Sequence, residues 1–203
     1  MKSYLVSSRD RRADPVNIPN FLTLLRIVLV PLAIWLIISD ADRAAFFVLV
    51  AAGVTDGLDG YLAKRYGWTT ELGAYLDPLA DKLLLVSTFV ALGVRFLLPS
   101  WLVILVVSRD VMIVAAILLS VVIGEQMPMR PFSISKLNTV AQIGLALLIL
   151  ADAGFGLAWV NARNVGIYLT AVLTAASAAV YLLAWLRHMT GAEPPEGGAP
   201  SGT

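Results

Sequence analysis

The sequence predicts an all-α integral membrane protein with six transmembrane helices and both termini in the cytoplasm. Three observations carry that prediction. Of 203 residues, 59% are hydrophobic and only 14% are charged, whereas a soluble domain carries nearer a quarter charged residues. Apolar stretches recur six times, each near the roughly twenty residues needed to cross a hydrocarbon core. The charges cluster between those stretches, so lipid is the solvent for most of the chain.

Taken in order, residues 1–20 form a charged juxtamembrane segment containing Lys2, Arg9, Arg11 and Arg12 with Asp10 and Asp14. No short apolar core with a small-residue cleavage site follows, so no removable signal peptide is expected. The spans fall at 21–39, 44–65, 71–97, 101–124, 134–153 and 164–187, within one domain at 21–190. Each is too long for a strand, and the alternation of a β-barrel is missing. Pro31 reads as a kink and Pro99 as a loop former. Trp101 and Trp159 suit interfacial belts. Ala171, Ala175 and Ala179 are spaced for ordinary close packing of the last helix. Asp40, Asp42 and Asp152 are expected at helix ends in solvent. The tail at 191–203 is Pro/Gly-rich and polar, which predicts disorder.

Orientation follows from the Lys/Arg bias. A cytoplasmic N-terminus keeps Lys2, Arg9, Arg11, Arg12, Lys64, Arg65, Arg130, Lys136 and Arg187 on one side, against Arg43, Arg95 and Arg163 on the other. The absence of Cys removes thiolate metal sites and a Cys nucleophile, and a single histidine, His188, leaves a Ser-His-Asp triad without support. No long-period repeat of the kind seen in inverted-repeat transporters is present. No nucleic-acid partner is expected.

The chemistry concentrates in "VTDGLDGYLAKRYGWTTELGAYLDPLADK", residues 54–82. Asp56 and Asp59 are three residues apart, and Asp77 and Asp81 four apart, so on helices each pair shares a face. The two helices run antiparallel around a short cytoplasmic turn, which lets the pairs face one another. Each intramembrane carboxylate costs roughly 2.5–3.5 kcal/mol even on a lenient insertion scale. An ion pair with Lys82 or Lys64 could take up one or two of these acids, but four need more. Two divalent cations would balance them, and carboxylate oxygens suit Mg²⁺ or Mn²⁺. Gly57, Gly60 and Gly73 thin the helix surface beside the acids, while Lys64 and Arg65 suit phosphate oxygens. Together these features describe a diphosphate site for a substrate with lipid tails.

The order Asp56-x-x-Asp59-Gly60-x-x-Ala63-Lys64, eight residues, Gly73-x-x-x-Asp77-x-x-x-Asp81 resembles the signature of the CDP-alcohol phosphatidyltransferases. One position departs: Lys64 stands where the family usually has Arg, which keeps the charge but loses the bidentate fork. The resemblance implies a six-helix membrane fold, usually a homodimer, in which an alcohol displaces CMP from a CDP-linked lipid. It implies Asp56, Asp59 and Asp77 as metal ligands. Asp81 would be a ligand of the second metal and the base on the incoming hydroxyl, with Gly60, Lys64 and Gly73 lining the cytidine diphosphate. Paired cations that clamp attacking and leaving oxygens agree with this assignment.

Outside the signature, "NIPNFLTLLRI" (17–27) is similar to both the phosphatidylglycerophosphate and cardiolipin synthases of the family. "SRDVMIVAA" (108–116) and "ISKLNTVAQI" (134–143) look more like the cardiolipin synthase branch. That resemblance implies transfer of a phosphatidyl group from CDP-diacylglycerol to phosphatidylglycerol. The alternative is glycerol 3-phosphate as acceptor, and a metal or ion transporter is the reading from another class. Arg109 and Lys136 are candidate contacts for the acceptor phosphate, although an ion pair between Arg109 and Asp110 competes for the first. Arg26 reads as structural. The missing Arg/Ser-rich leader points to a bacterial inner membrane, with the site facing the cytoplasm.

Overall fold

A computed structural model of the chain describes residues 17–66, 71–123 and 133–189, with side chains at 25, 27–55, 57, 82–115 and 134–183. Six helices follow one another: α1 (Asn17–Ile38), α2 (Asp42–Tyr66), α3 (Glu71–Val94), α4 (Ser100–Ile123), α5 (Ser133–Phe155) and α6 (Val160–Met189). No strand occurs among the described residues. These are the six stretches expected from hydrophobicity, with ends moved by a few residues. The helices run 22 to 30 residues, or about 33–45 Å. Ile134–Phe155 and Val160–Leu183 are long and apolar enough to cross a membrane, and Ile27–Ile38 and Lys82–Val94 are shorter apolar stretches. Residues 1–16 and 191–203, predicted as a charged segment and a disordered tail, lie outside the described residues.

The helix ends show why the chain turns where it does. α1 and α3 close with the same hydrogen-bond pair. Ala41 N donates to Leu36 O and Asp40 N to Ile37 O; Leu97 N donates to Leu92 O and Phe96 N to Gly93 O. The left-handed residues this motif needs are Asp40 (φ 59°) and Phe96 (φ 56°). Asp tolerates that conformation better than a bulky side chain does. Pro99 stands just before α4, where its carbonyl accepts from Leu102 N at 3.0 Å. α1 remains helical through Pro31.

Two four-helix rings share α3 and α5. In the first, α1 packs on α2 and α3, while α5 packs on α2 and α3. In the second, α3 packs on α4, α4 on α6, α6 on α5 and α5 on α3. Among the described residues α4 does not pack directly on α5. The first ring buries Ala33, Ile37, Leu49 and Ala52, and the second buries Leu92, Leu102 and Val106 at one end. Outward faces remain apolar, with Val28, Trp35, Phe47, Ile104, Val140 and Val172 exposed.

Arg43, Arg95 and Arg163 gather at the end of the bundle away from the α2–α3 turn and tie its loops together. Arg95 bridges Asp40 and Asp42, Arg163 donates to Leu97 O, and Arg43 Nε donates to Gly154 O at 2.5 Å. Two expectations are corrected here. Asp42 is buried, not solvated, because Arg95 covers it. Ala175 and Ala179 are exposed, and α6 instead buries Thr170, Thr174 and Ser177. Asp152 caps α6 by accepting from Trp159 N at 2.8 Å.

Gly154 is the tightest of these contacts. A Cβ there would stand 2.9 Å from Arg43 N and 3.2 Å from Arg43 Cα, and backbone cannot rotate aside. Gly154→Ala is therefore expected to destabilise the bundle by about 1–3 kcal/mol, measured by unfolding in mixed micelles. An unchanged midpoint would show that α2 and α5 separate freely at that end.

Candidate active site

The acidic hairpin occupies the other end. α2 is helical through Asp56 and Asp59 and ends at Tyr66, and α3 is helical from Glu71 through Asp77 and Asp81. The helical spacing that puts each pair on one face is therefore present in both backbones. Asp77 and Asp81 lie six and ten residues into α3, about 9 and 15 Å along its axis. The carboxylates of Asp56, Asp59, Asp77 and Asp81, the Lys64 and Arg26 side chains, and the surroundings of Gly60 and Gly73 lie outside the described residues. No group of three or more metal-ligating side chains occurs among those that are described.

Lys82, the residue after Asp81, is described, and it pairs with α4. Its Nζ lies 2.6 Å from Asp110 Oδ1. The same oxygen accepts from Arg109 Nη1 at 2.5 Å. Arg109 Nη2 continues to Ser135 Oγ on α5 at 2.6 Å and Ser177 Oγ on α6 at 2.7 Å. Its guanidinium also stands 5.8 Å from the centroid of the Tyr181 ring. The ion pair weighed against a phosphate role for Arg109 is thus formed, and Arg109 is 2% exposed. Lys136, the other candidate, is exposed near the start of α5. Lys82 offers its charge to Asp110 on α4.

This network reaches all four helices of the second ring. It bridges α4 and α5, which otherwise stand apart, through one long guanidinium. Arg suits that task because its planar fork donates in several directions without losing its charge. Deeper in the same ring, Thr174 Oγ1 donates to Asn138 Oδ1 at 2.8 Å, and Gln142 is fully buried. Sequence reading passed over Asn138, Gln142, Thr174 and Ser177. A signal was present: Ser135, Asn138 and Gln142 recur at i, i+3 and i+7 on an otherwise apolar helix.

The family of the chain is independently established. A model of the family described as CDP-alcohol phosphatidyltransferase matches residues 16–187. Over 186 residues the chain is 36% identical to the Homo sapiens protein named cardiolipin synthase (CMP-forming), covering 83% of this chain and 61% of that one. A Streptomyces coelicolor protein of the same name is 40% identical over 108 residues, covering 50% of each. The CDP-diacylglycerol–glycerol-3-phosphate 3-phosphatidyltransferase of Sodalis glossinidius is 36% identical over 186 residues, covering 85% of this chain and 96% of that protein. The chain therefore spans 61% or less of these two cardiolipin synthases and nearly all of the Sodalis protein. With its four signature aspartates carried on α2 and α3, the chain belongs to the CDP-alcohol phosphatidyltransferase family, whose members transfer phosphate-containing groups.

Proposed function

We propose that this protein is a cardiolipin synthase that transfers a phosphatidyl group from CDP-diacylglycerol to phosphatidylglycerol and releases CMP. One observation carries the chemistry: a complete acidic signature divided between two consecutive helices of a family member. A hydroxyl oxygen of phosphatidylglycerol forms a bond to the lipid-linked phosphorus, and the bond from that phosphorus to the CMP oxygen breaks. CMP departs with the bonding electrons, and the hydroxyl proton passes to Asp81.

The donor set fits two divalent cations, Mg²⁺ or Mn²⁺, because four hard carboxylates pair by helical register at one end of the bundle. Asp56, Asp59 and Asp77 would hold them, with Asp81 joining the second. Bound there, such ions neutralise phosphoryl oxygens and the leaving phosphate. Gly60 and Gly73 let the cytidine diphosphate approach the helices, and Lys64 supplies a fixed positive charge to it. Lys136 is the cation offered to the acceptor phosphodiester, since Arg109 is 2% exposed and already engaged by Asp110, Ser135 and Ser177. All six helices span the bilayer, both termini lie in the cytoplasm, and the site opens to that side of a bacterial inner membrane. The working unit is a homodimer.

The glycerol 3-phosphate reading has specific support in the Sodalis relative, which this chain covers almost completely. Purified protein supplied with Mg²⁺ or Mn²⁺, CDP-diacylglycerol and each acceptor decides between them. CMP release and cardiolipin formation with phosphatidylglycerol are expected. Turnover with glycerol 3-phosphate alone would reassign the acceptor. Metal flux into liposomes without any CDP-lipid would favour a transporter.

A further inference from the structure

We propose that the polar half of the ring formed by α3, α4, α6 and α5 is a hydroxyl-reading subsite, in which Gln142 and Asn138 bind the secondary hydroxyl of the acceptor's glycerol. The inference rests on the acceptor-alcohol chemistry proposed above and names the part of the alcohol that is recognised.

Among the described residues, five buried polar atoms in this ring lack a protein partner: Arg109 Nε, Asp110 Oδ2, Asn138 Nδ2, and both Nε2 and Oε1 of Gln142. Asn138 and Gln142 are 0% exposed. Buried polar groups are ordinarily hydrogen-bonded, and hydrocarbon outside the bundle cannot supply a partner. A glutamine with neither amide atom satisfied is therefore poised for a guest. The protein bonds that do exist hold the site in shape. Thr174 fixes the Asn138 carbonyl oxygen, leaving its NH₂ to donate, and Ser177 and Asp110 hold Arg109.

The free atoms identify the guest. Three are donors and two are acceptors. A phosphate oxygen only accepts, and the free oxygens of Asp110 and Gln142 would repel it. A hydroxyl donates and accepts, which matches the free Nε2 and Oε1 of Gln142 together with the free Nδ2 of Asn138. The ring is tied to the acidic hairpin through the backbone of α3, since Asp110 is bonded to Lys82, one residue beyond Asp81. A glycerol whose terminal hydroxyl reacts carries its secondary hydroxyl one carbon away, on the same acceptor.

The test uses the full chain in detergent and two acceptors: phosphatidylglycerol, and phosphatidyl-1,3-propanediol, which keeps the terminal hydroxyl but lacks the secondary one. The wild type is expected to prefer phosphatidylglycerol by roughly tenfold in kcat/KM, the scale of one lost hydrogen bond. Gln142→Met should raise KM for phosphatidylglycerol by a similar factor, leave KM for CDP-diacylglycerol unchanged, and treat both acceptors alike. Asn138→Leu provides a second variant should the first fail to fold. A wild type indifferent to the secondary hydroxyl, or variants that keep its full preference, would overturn the subsite and leave ordered water as the occupant. If glycerol 3-phosphate proves to be the acceptor, the same comparison runs with 3-hydroxypropyl phosphate, so an error in the acceptor and an error in the subsite give different results. No CMP release with any acceptor would overturn both.

Discussion

Asp81→Asn is expected to leave the fold intact and reduce CMP release at least about 1,000-fold, the upper range for loss of a general base. Asn keeps the volume and the helix but cannot take the hydroxyl proton, and it is a poorer ligand for a hard cation. The measurement is CMP formation from CDP-diacylglycerol at saturating acceptor, alongside an unfolding midpoint to confirm folding. A stable variant with near-normal turnover would exclude Asp81 as the proton acceptor and move that role to another carboxylate of the hairpin.

Asp110→Asn is expected to cost about 3 kcal/mol of stability, the lower end of the range for breaking a buried ion pair from one side. Asp110 Oδ1 meets both Lys82 and Arg109, and the Arg109 and Asp110 side chains are 1% and 4% exposed. Removing the carboxylate leaves two cations facing each other across the ring with no counter-charge. Lys82 is 28% exposed at its side chain, so it can partly rehydrate, which keeps the expected loss near that lower end. Adding Lys82→Met should restore part of the loss, because one of the stranded charges goes with it. Because Lys82 follows Asp81, the single substitution should also loosen α3 and weaken Mn²⁺ binding, read by titration. A loss below 1 kcal/mol with unchanged Mn²⁺ affinity would show that the network is incidental to the hairpin.

The loop end of the bundle shows how local rules and tertiary contacts divide the work. Pro99 marks the turn before α4 in the sequence itself. Phe96 gives no such warning, because a bulky residue with positive φ is uncommon; its place is set by the closing hydrogen bonds of α3. Asp42 looks like a solvated helix-end acid until Arg95, 53 residues later, folds over it. Arg109 is a similar case. Its neighbour Asp110 makes an ion pair conceivable, but the two serines that complete its coordination come from α5 and α6.

Helix number, helix order and the placement of both aspartate pairs could be read from the chain, because hydrophobic runs and i,i+3 or i,i+4 spacings are properties of neighbouring residues. Partner choice among the buried charges could not. Lys82 directly follows Asp81 and stands close to Asp77 in sequence, yet it bonds to an acid 28 residues away, since α4 packs against α3 and brings Asp110 within reach. The polar interior was hidden for the same reason. Asn138, Gln142, Thr174 and Ser177 are scattered polar residues along two apolar helices, and they become one surface only when four helices close a ring around them.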